Sequence, residues 1–182
     1  MNRYIAFLRA INVGGHFVKM DDLRQAFESL GFSNVETYIQ SGNVLFESPS
    51  TNTGRLESEI EAHLEKTFGF QVPAFIRSDA ELLEIAEYWP FKDGEQGDGF
   101  TLYISFLRDE PSDELQRELI SCSNEIDEFH VHKRQVYWLR RRYLGKSTFT
   151  NAMIEKTLAT QATRRNANTV RKIVKKYLSN ST

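Results

Sequence analysis

A chain of 182 residues, 40% hydrophobic and 26% charged, is long enough to bury roughly 70% of the surface its unfolded form exposes, and its composition excludes disordered and fibrous classes. No apolar run approaches the roughly 18 residues of a membrane-spanning helix, and a single cysteine, Cys122, excludes an internal disulfide and fits a reducing cytoplasm. The net charge of −2 hides an asymmetry: residues 133–182 carry +12 and residues 1–132 carry −14, so either the two parts neutralise each other or the basic part faces an anion, RNA or a nucleotide.

Tyr4-Ile5-Ala6-Phe7-Leu8-Arg9 is a short apolar run rich in β-formers, which predicts a strand over 3–9 buried on both faces. It follows Arg3 with no long apolar segment before it, so no secretory signal is expected. A loop over 10–19 contains Gly14-Gly15. Met20, Leu23, Phe27 and Leu30 then recur at helical spacing, with Asp21 and Asp22 in the first turn and Gly31 as a stop. Alternation over 34–40, the Ser41-Gly42-Asn43 turn and a return over 44–47 predict a β-hairpin. Leu56, Ile60, Leu64 and Phe68 mark a helix whose outer face reads as acidic, with Glu57, Glu59, Glu61 and Glu65. Pro73 assigns the next strand, 71–77, to a sheet edge, because proline cannot donate to a ladder. The order βαββαβ is the ferredoxin-like unit.

Ser78-Asp79-Ala80-Glu81 has the pattern of a capping box and opens a helix that Pro90 ends. Residues 91–99 read as a linker between an N-terminal half, 1–90, and a C-terminal half, 100–182. Tyr103-Ile104-Ser105-Phe106-Leu107-Arg108 repeats the first strand with five of six residues identical, which predicts a duplicated supersecondary unit. A helix from Pro111, a hairpin over 126–140 and a helix over 151–159 follow. No fourth strand is expected. Asn168 is read as capping a last helix with Val170, Ile173, Val174, Tyr177 and Leu178 inside and Arg171, Lys172, Lys175 and Lys176 outside. The class is therefore α+β, with two tandem related halves: a βαββαβ unit, then an altered βαββα copy with a C-terminal helix.

Three places could carry chemistry. Gly14-Gly15 exposes backbone N–H groups before a helix, with Arg9, Asn12, His16 and Lys19 close in sequence, and such a loop can hold an anion or simply make a turn. Gly145-Lys146-Ser147-Thr148 resembles the end of a P-loop. Arg140 stands where its first glycine belongs, so nucleotide hydrolysis is rejected and an anion contact by Lys146 remains. Thr163-Arg164-Arg165-Asn166 is polar and cationic. His130 and His132 share a strand face without a third ligand, so no metal is expected, and no motif asks for a cofactor.

The blocks Tyr4–Arg9, Ile11–Gly15, Leu30–Phe32, Thr37–Val44, Phe68-Gly69, Arg77-Ser78 and Arg165–Val170 resemble a family of small bacterial proteins known as domain of unknown function 1697. The resemblance implies a cytosolic α+β protein of two related halves and supplies no activity. Ser41 and Asn43 join the candidates as motif positions, beside Arg9, Asn12, Gly14, Gly15, His16, Lys19, Lys146, Arg165 and Asn166. Ala10, Thr148 and Ala167 depart from the family pattern, where glycine, lysine and tryptophan are usual. Three readings follow: a binding module for an anionic nucleotide, phosphorylated metabolite or RNA, held between the glycine loop and the basic C-terminal segment; a small enzyme on a phosphorylated or carboxylated metabolite, using Arg9, His16 and Lys146; or an interaction protein without a ligand. No membrane partner is expected.

Overall fold

Strand β1 (Asn2–Leu8) is buried along its apolar length and lies between two neighbours, so both of its edges and both of its faces are occupied. This is a computed structural model, and it describes residues 1–39 and 42–178. The chain divides into two compact units, Met1–Leu82 and Leu83–Thr182.

In the first unit β1 is followed by α1 (Met20–Ser29), β2 (Ser33–Tyr38), β3 (Asn43–Ser48), α2 (Thr53–Phe68), β4 (Ala74–Ser78) and the start of α3 (Asp79–Glu87). The strands pair antiparallel in the order β2-β3-β1-β4, with β1 and β3 central. Tyr4, Ala6 and Leu8 from β1 and Val44 and Phe46 from β3 meet Leu23 and Phe27 of α1 and Leu56, Ile60 and Leu64 of α2 in one apolar cluster. The expected capping box is present: Ser78 Oγ accepts from Glu81 N–H at 3.2 Å, and a Glu81 oxygen accepts from Ser78 N–H at 2.8 Å.

The acidic face of α2 needs correction. Glu57 is 2% exposed, and its carboxylate accepts the Ile76 N–H at 2.8 Å; Glu61, one turn later, accepts the Ala74 N–H at 2.8 Å. With Glu81 on Ser78, three carboxylates take three alternate N–H groups of edge strand β4. A helix-borne row of acceptors replaces the missing neighbouring strand, satisfying buried donors and blocking the edge against pairing with another chain.

The second unit repeats the arrangement with β5 (Phe100–Leu107), α4 (Asp113–Ser121), β6 (Asp127–His132), β7 (Gln135–Arg141), a short 3-10 turn (Arg142–Leu144), α5 (Asn151–Leu158), β8 (Ala162–Asn166), α6 (Ala167–Ile173) and a π turn (Val174–Leu178). The order is β6-β7-β5-β8, the same as in the first unit. Mixed α+β class and two related halves stand as read. The altered βαββα copy does not: Ala162–Asn166 is a fourth strand, paired antiparallel with β5. It escapes a pattern reading because it has five residues, two of them arginine; an edge strand needs only one apolar anchor, here the buried Ala162, and tolerates charge elsewhere. Glu155 of α5 accepts the Ala162 N–H at 2.8 Å, as Glu61 does for Ala74, and Ala162 faces Leu107 as Ala74 faces Leu8. The last helix is capped by Asn166, whose side chain accepts from Asn168 N–H, and not by Asn168. Among the described residues no helix is long and apolar enough to cross a membrane.

Candidate functional site

The loop after β1 is pinned on both sides. Leu8 N–H donates to the Gly42 carbonyl at 2.7 Å, and Arg9 N–H donates to the Pro73 carbonyl at 2.9 Å. The loop then closes on itself: Asn12 N–H donates to His16 O at 2.8 Å, Val13 and His16 form an isolated bridge, and Asn12 Oδ1 accepts from Val18 N–H at 2.9 Å. Gly14 and Gly15 sit at the tip with φ of +61° and +88°, the left-handed pair that a tight hairpin turn requires. His16 stacks on Phe70 with ring centres 4.2 Å apart, and Lys19 is exposed at the start of α1. Asn43 is fully buried and donates to the Tyr38 carbonyl at 3.1 Å. Asn12 and Asn43 thus shape turns. Ser41 lies outside the described residues.

The remaining candidates fall in the second unit. Lys146 is exposed on the segment between the 3-10 turn and α5. A P-loop lysine sits at the opening of a helix; α5 begins only at Asn151. Arg165 is half-buried on β8, donating to Thr163 Oγ1 at 2.9 Å and to the Arg164 carbonyl at 3.0 Å, and burial pushes its guanidinium down to about 10. Its neighbour Asn166 caps α6 and lines a cavity of about 420 Å³.

That cavity contains no residue of the glycine loop, nor Lys146. Its walls bring together Trp89, Arg142, Asn166, Asn168 and Arg171, with Asp98 and Phe100 beside them. The Arg171 guanidinium lies 5.9 Å from the Trp89 ring centre. Arg142 bonds the main-chain carbonyl of Asp98, not its carboxylate. Glu95, also in the wall, accepts from Arg141 through Oε1 at 2.6 Å, while its Oε2 is buried without a hydrogen-bond partner among the described residues. Among the described residues neither Arg142 nor Arg171 has a carboxylate within ion-pair distance. Trp89, Arg142 and Arg171 are the residues that sequence reasoning missed; the concentration of cations beyond residue 132 pointed to the region but not to the groups.

His130 and His132 join a different network. Tyr88 Oη lies 2.9 Å from His130 Nε2, the Tyr88 ring stacks on His132 at 4.4 Å, and Glu84 accepts from Lys133 at 2.6 Å. Partial burial, reinforced by His132, holds His130 below the usual imidazole range. The unfolded chain therefore binds this proton more tightly than the folded one. His130 contributes stability that is present above about pH 6.5 and lost as pH falls through its folded value. Urea unfolding followed from about pH 7.5 to 5 is expected to show a loss of stability that His130→Gln makes shallower; an unchanged slope in that variant would remove His130 as the cause. Glu84, lowered chiefly by its bond from Lys133, titrates in the more acidic carboxylate range and does not confuse the window.

A family model described as "Protein of unknown function (DUF1697)" matches residues 1–137. A solved structure of a conserved bacterial protein from Streptococcus pneumoniae is similar, with a TM-score of 0.70 and 24% identity over 96% of this chain and 97% of that one. At that identity the likeness speaks for the fold alone. A search of curated proteins gives no match.

Proposed function

The chain belongs to the DUF1697 family of proteins of unknown function, and we propose that it is a binding module for a small anionic ligand, a nucleotide or phosphorylated metabolite, taken by the cavity of the second unit. The observation that carries this reading is that two arginines, Arg142 and Arg171, line one cavity with two asparagines, Arg171 lying beside the Trp89 indole. A volume of about 420 Å³ falls within the range of small-molecule sites, roughly 300–1,000 Å³. The indole offers an apolar plane, the amides offer directed hydrogen bonds, and the arginines supply charge for a phosphate.

The small molecule is favoured over RNA by the state of the sheet. RNA-recognition modules of this strand order stack bases on exposed aromatics of the two central strands. In the second unit the face of β5 and β7 turned away from the α4 and α5 cluster carries Ile104, Phe106, Tyr137 and Leu139, all buried.

The test is thermal stability against a panel of adenine and guanine nucleotides and sugar phosphates, at low and moderate salt. A ligand that binds only the folded state adds about 2.7 kcal/mol at a hundred times its dissociation constant. A shift that shrinks with salt and disappears in Arg171→Ala is expected. No shift across the panel, or one that survives both Arg171→Ala and Arg142→Ala, would overturn the reading.

A further inference from the structure

A second cationic group lies on the opposite face of the same sheet, and none of its members lines the cavity. Trp138 is fully buried on β7, with its indole N–H donated to the buried Asp127 carboxylate at 2.7 Å. The register places Trp138 opposite Tyr103 of β5, so the two rings sit side by side, 5.4 Å between centres. Two residues along β7 is Arg140, its guanidinium carbon 5.9 Å from the Trp138 ring centre. From β8, Arg164 reaches across β5, its guanidinium carbon 4.5 Å from the centre of Tyr103 and 5.0 Å from that of Trp138. Two arginines thus converge on one pair of rings.

Their charge is unbalanced. Among the described residues no carboxylate is within ion-pair distance of either guanidinium. Asp127, directly opposite Arg140 in the ladder, gives one oxygen to Trp138. The Arg140 Nε is buried without a hydrogen-bond partner. A buried donor without an acceptor is costly in a native fold and needs a reason, and two like charges held together without a counter-ion compound that cost. Burial lowers the Arg164 guanidinium from its ordinary value; Tyr103 opposes this shift and the charge of Arg140 adds to it. The rings seat both guanidiniums, and among the described residues no side-chain N–H of either is given to a protein acceptor, so their terminal groups can take a tetrahedral oxyanion.

We propose that Arg140 and Arg164, held on Trp138 and Tyr103, form a phosphate-binding site for a dianionic phosphoryl group. A dianion balances both charges at once, and its several oxygens can accept from the terminal N–H groups of the Arg140 and Arg164 forks. A monoanion would leave one charge standing.

The chain has two tryptophans, so a Trp89→Phe protein reports on Trp138 alone. Its fluorescence would be followed while inorganic phosphate is added, with sodium chloride at matched ionic strength as the reference and phenyl phosphate as a phosphomonoester. A saturable change with phosphate and phenyl phosphate, absent with chloride, is expected. Arg164→Gln is expected to weaken the apparent affinity at least about tenfold, and Arg140→Gln to do the same where it folds. Arg164 is exposed, so its variant keeps the test decisive even if Arg140→Gln does not fold. Arg171→Ala should leave the response intact, which separates this site from the cavity and lets either fail alone. Three results would overturn the proposal: no change up to about 100 mM phosphate, an equal change with chloride, or an undiminished response in Arg164→Gln. So would a variant whose only defect is lower stability in phosphate-free buffer, which would make Arg164 a cover for the rings. A response to phosphate but not to phenyl phosphate would locate the site for the free ion.

Discussion

Glu57→Ala is expected to destabilise the chain by about 3 kcal/mol, the scale of a buried hydrogen bond to a charged group lost with its donor left unsatisfied. Glu57 lies one turn inside α2, 2% exposed, with its oxygen 2.8 Å from the Ile76 amide. Removing it strands that N–H in the interior, where neither water nor a neighbouring strand replaces the carboxylate. Glu57→Gln keeps an acceptor of the same shape and is expected to cost about 1 kcal/mol, because a neutral acceptor makes a weaker bond. Glu59 is the control: it is exposed on the same helix, and Glu59→Ala should stay within about 0.5 kcal/mol. Urea unfolding with an unchanged slope gives the order of the three, and amide exchange at Ile76 should accelerate in Glu57→Ala alone. Equal costs for Glu57→Ala and Glu59→Ala would mean that α2 does not act as acceptor for the β4 edge. The consequence reaches the glycine loop, since Arg9 N–H is held by the Pro73 carbonyl just before β4; a β4 that frays releases the start of that loop.

What could be read in the sequence was whatever leaves a periodic trace. The strands β1 and β5 were legible because a doubly buried strand is a continuous apolar run, and the near identity of the runs from Tyr4 and Tyr103 exposed the repeat. The capping box at Ser78 was legible because both of its bonds are local. Glu57 was not, since a glutamate flanked by helix-spaced acids looks the same whether it meets water or a strand edge. Pro73 was the available clue: an edge strand covered by a helix must find acceptors for its outward N–H groups, and acids at i, i+4 on that helix can supply them. Strand β8 was lost for the same reason in reverse, being short, charged and satisfied from outside by Glu155. The sites were less legible still. Arg140 and Arg164 come together only because β7 and β8 flank β5 in a particular register, and pairing register is a property of the assembled sheet. Gly14-Gly15 was legible as a turn, because a left-handed pair at the tip of a tight hairpin calls for glycine.

Gly42→Ala is expected to cost about 3 kcal/mol, combining roughly 1–2 for a left-handed alanine with an overpacking term of similar size. Gly42 has φ of +70°, and a Cβ there would stand 3.1 Å from Leu8 Cβ, 3.3 Å from Ile11 Cβ and 3.3 Å from the Leu8 carbonyl. None of these neighbours can swing aside, because they are the stem atoms of buried side chains and main chain. Its own carbonyl accepts from Leu8 N–H at 2.7 Å, so backing the turn away would break the bond that ties the hairpin to the end of β1. Gly14 makes the comparison sharp. Its φ of +61° is also left-handed, yet a Cβ there meets nothing within 4 Å, so Gly14→Ala should cost only the backbone share, about 1 kcal/mol, and Gly14→Asn less, since asparagine tolerates this region. Chemical denaturation of the three variants separates the two contributions. If Gly42→Ala and Gly14→Ala cost the same, the close approach of the hairpin to Leu8 and Ile11 carries no energy and the backbone conformation alone selects glycine. The expected gap between them places the constraint in packing, where the turn after β2 is held against the root of the glycine loop and sets the direction in which that loop leaves the sheet.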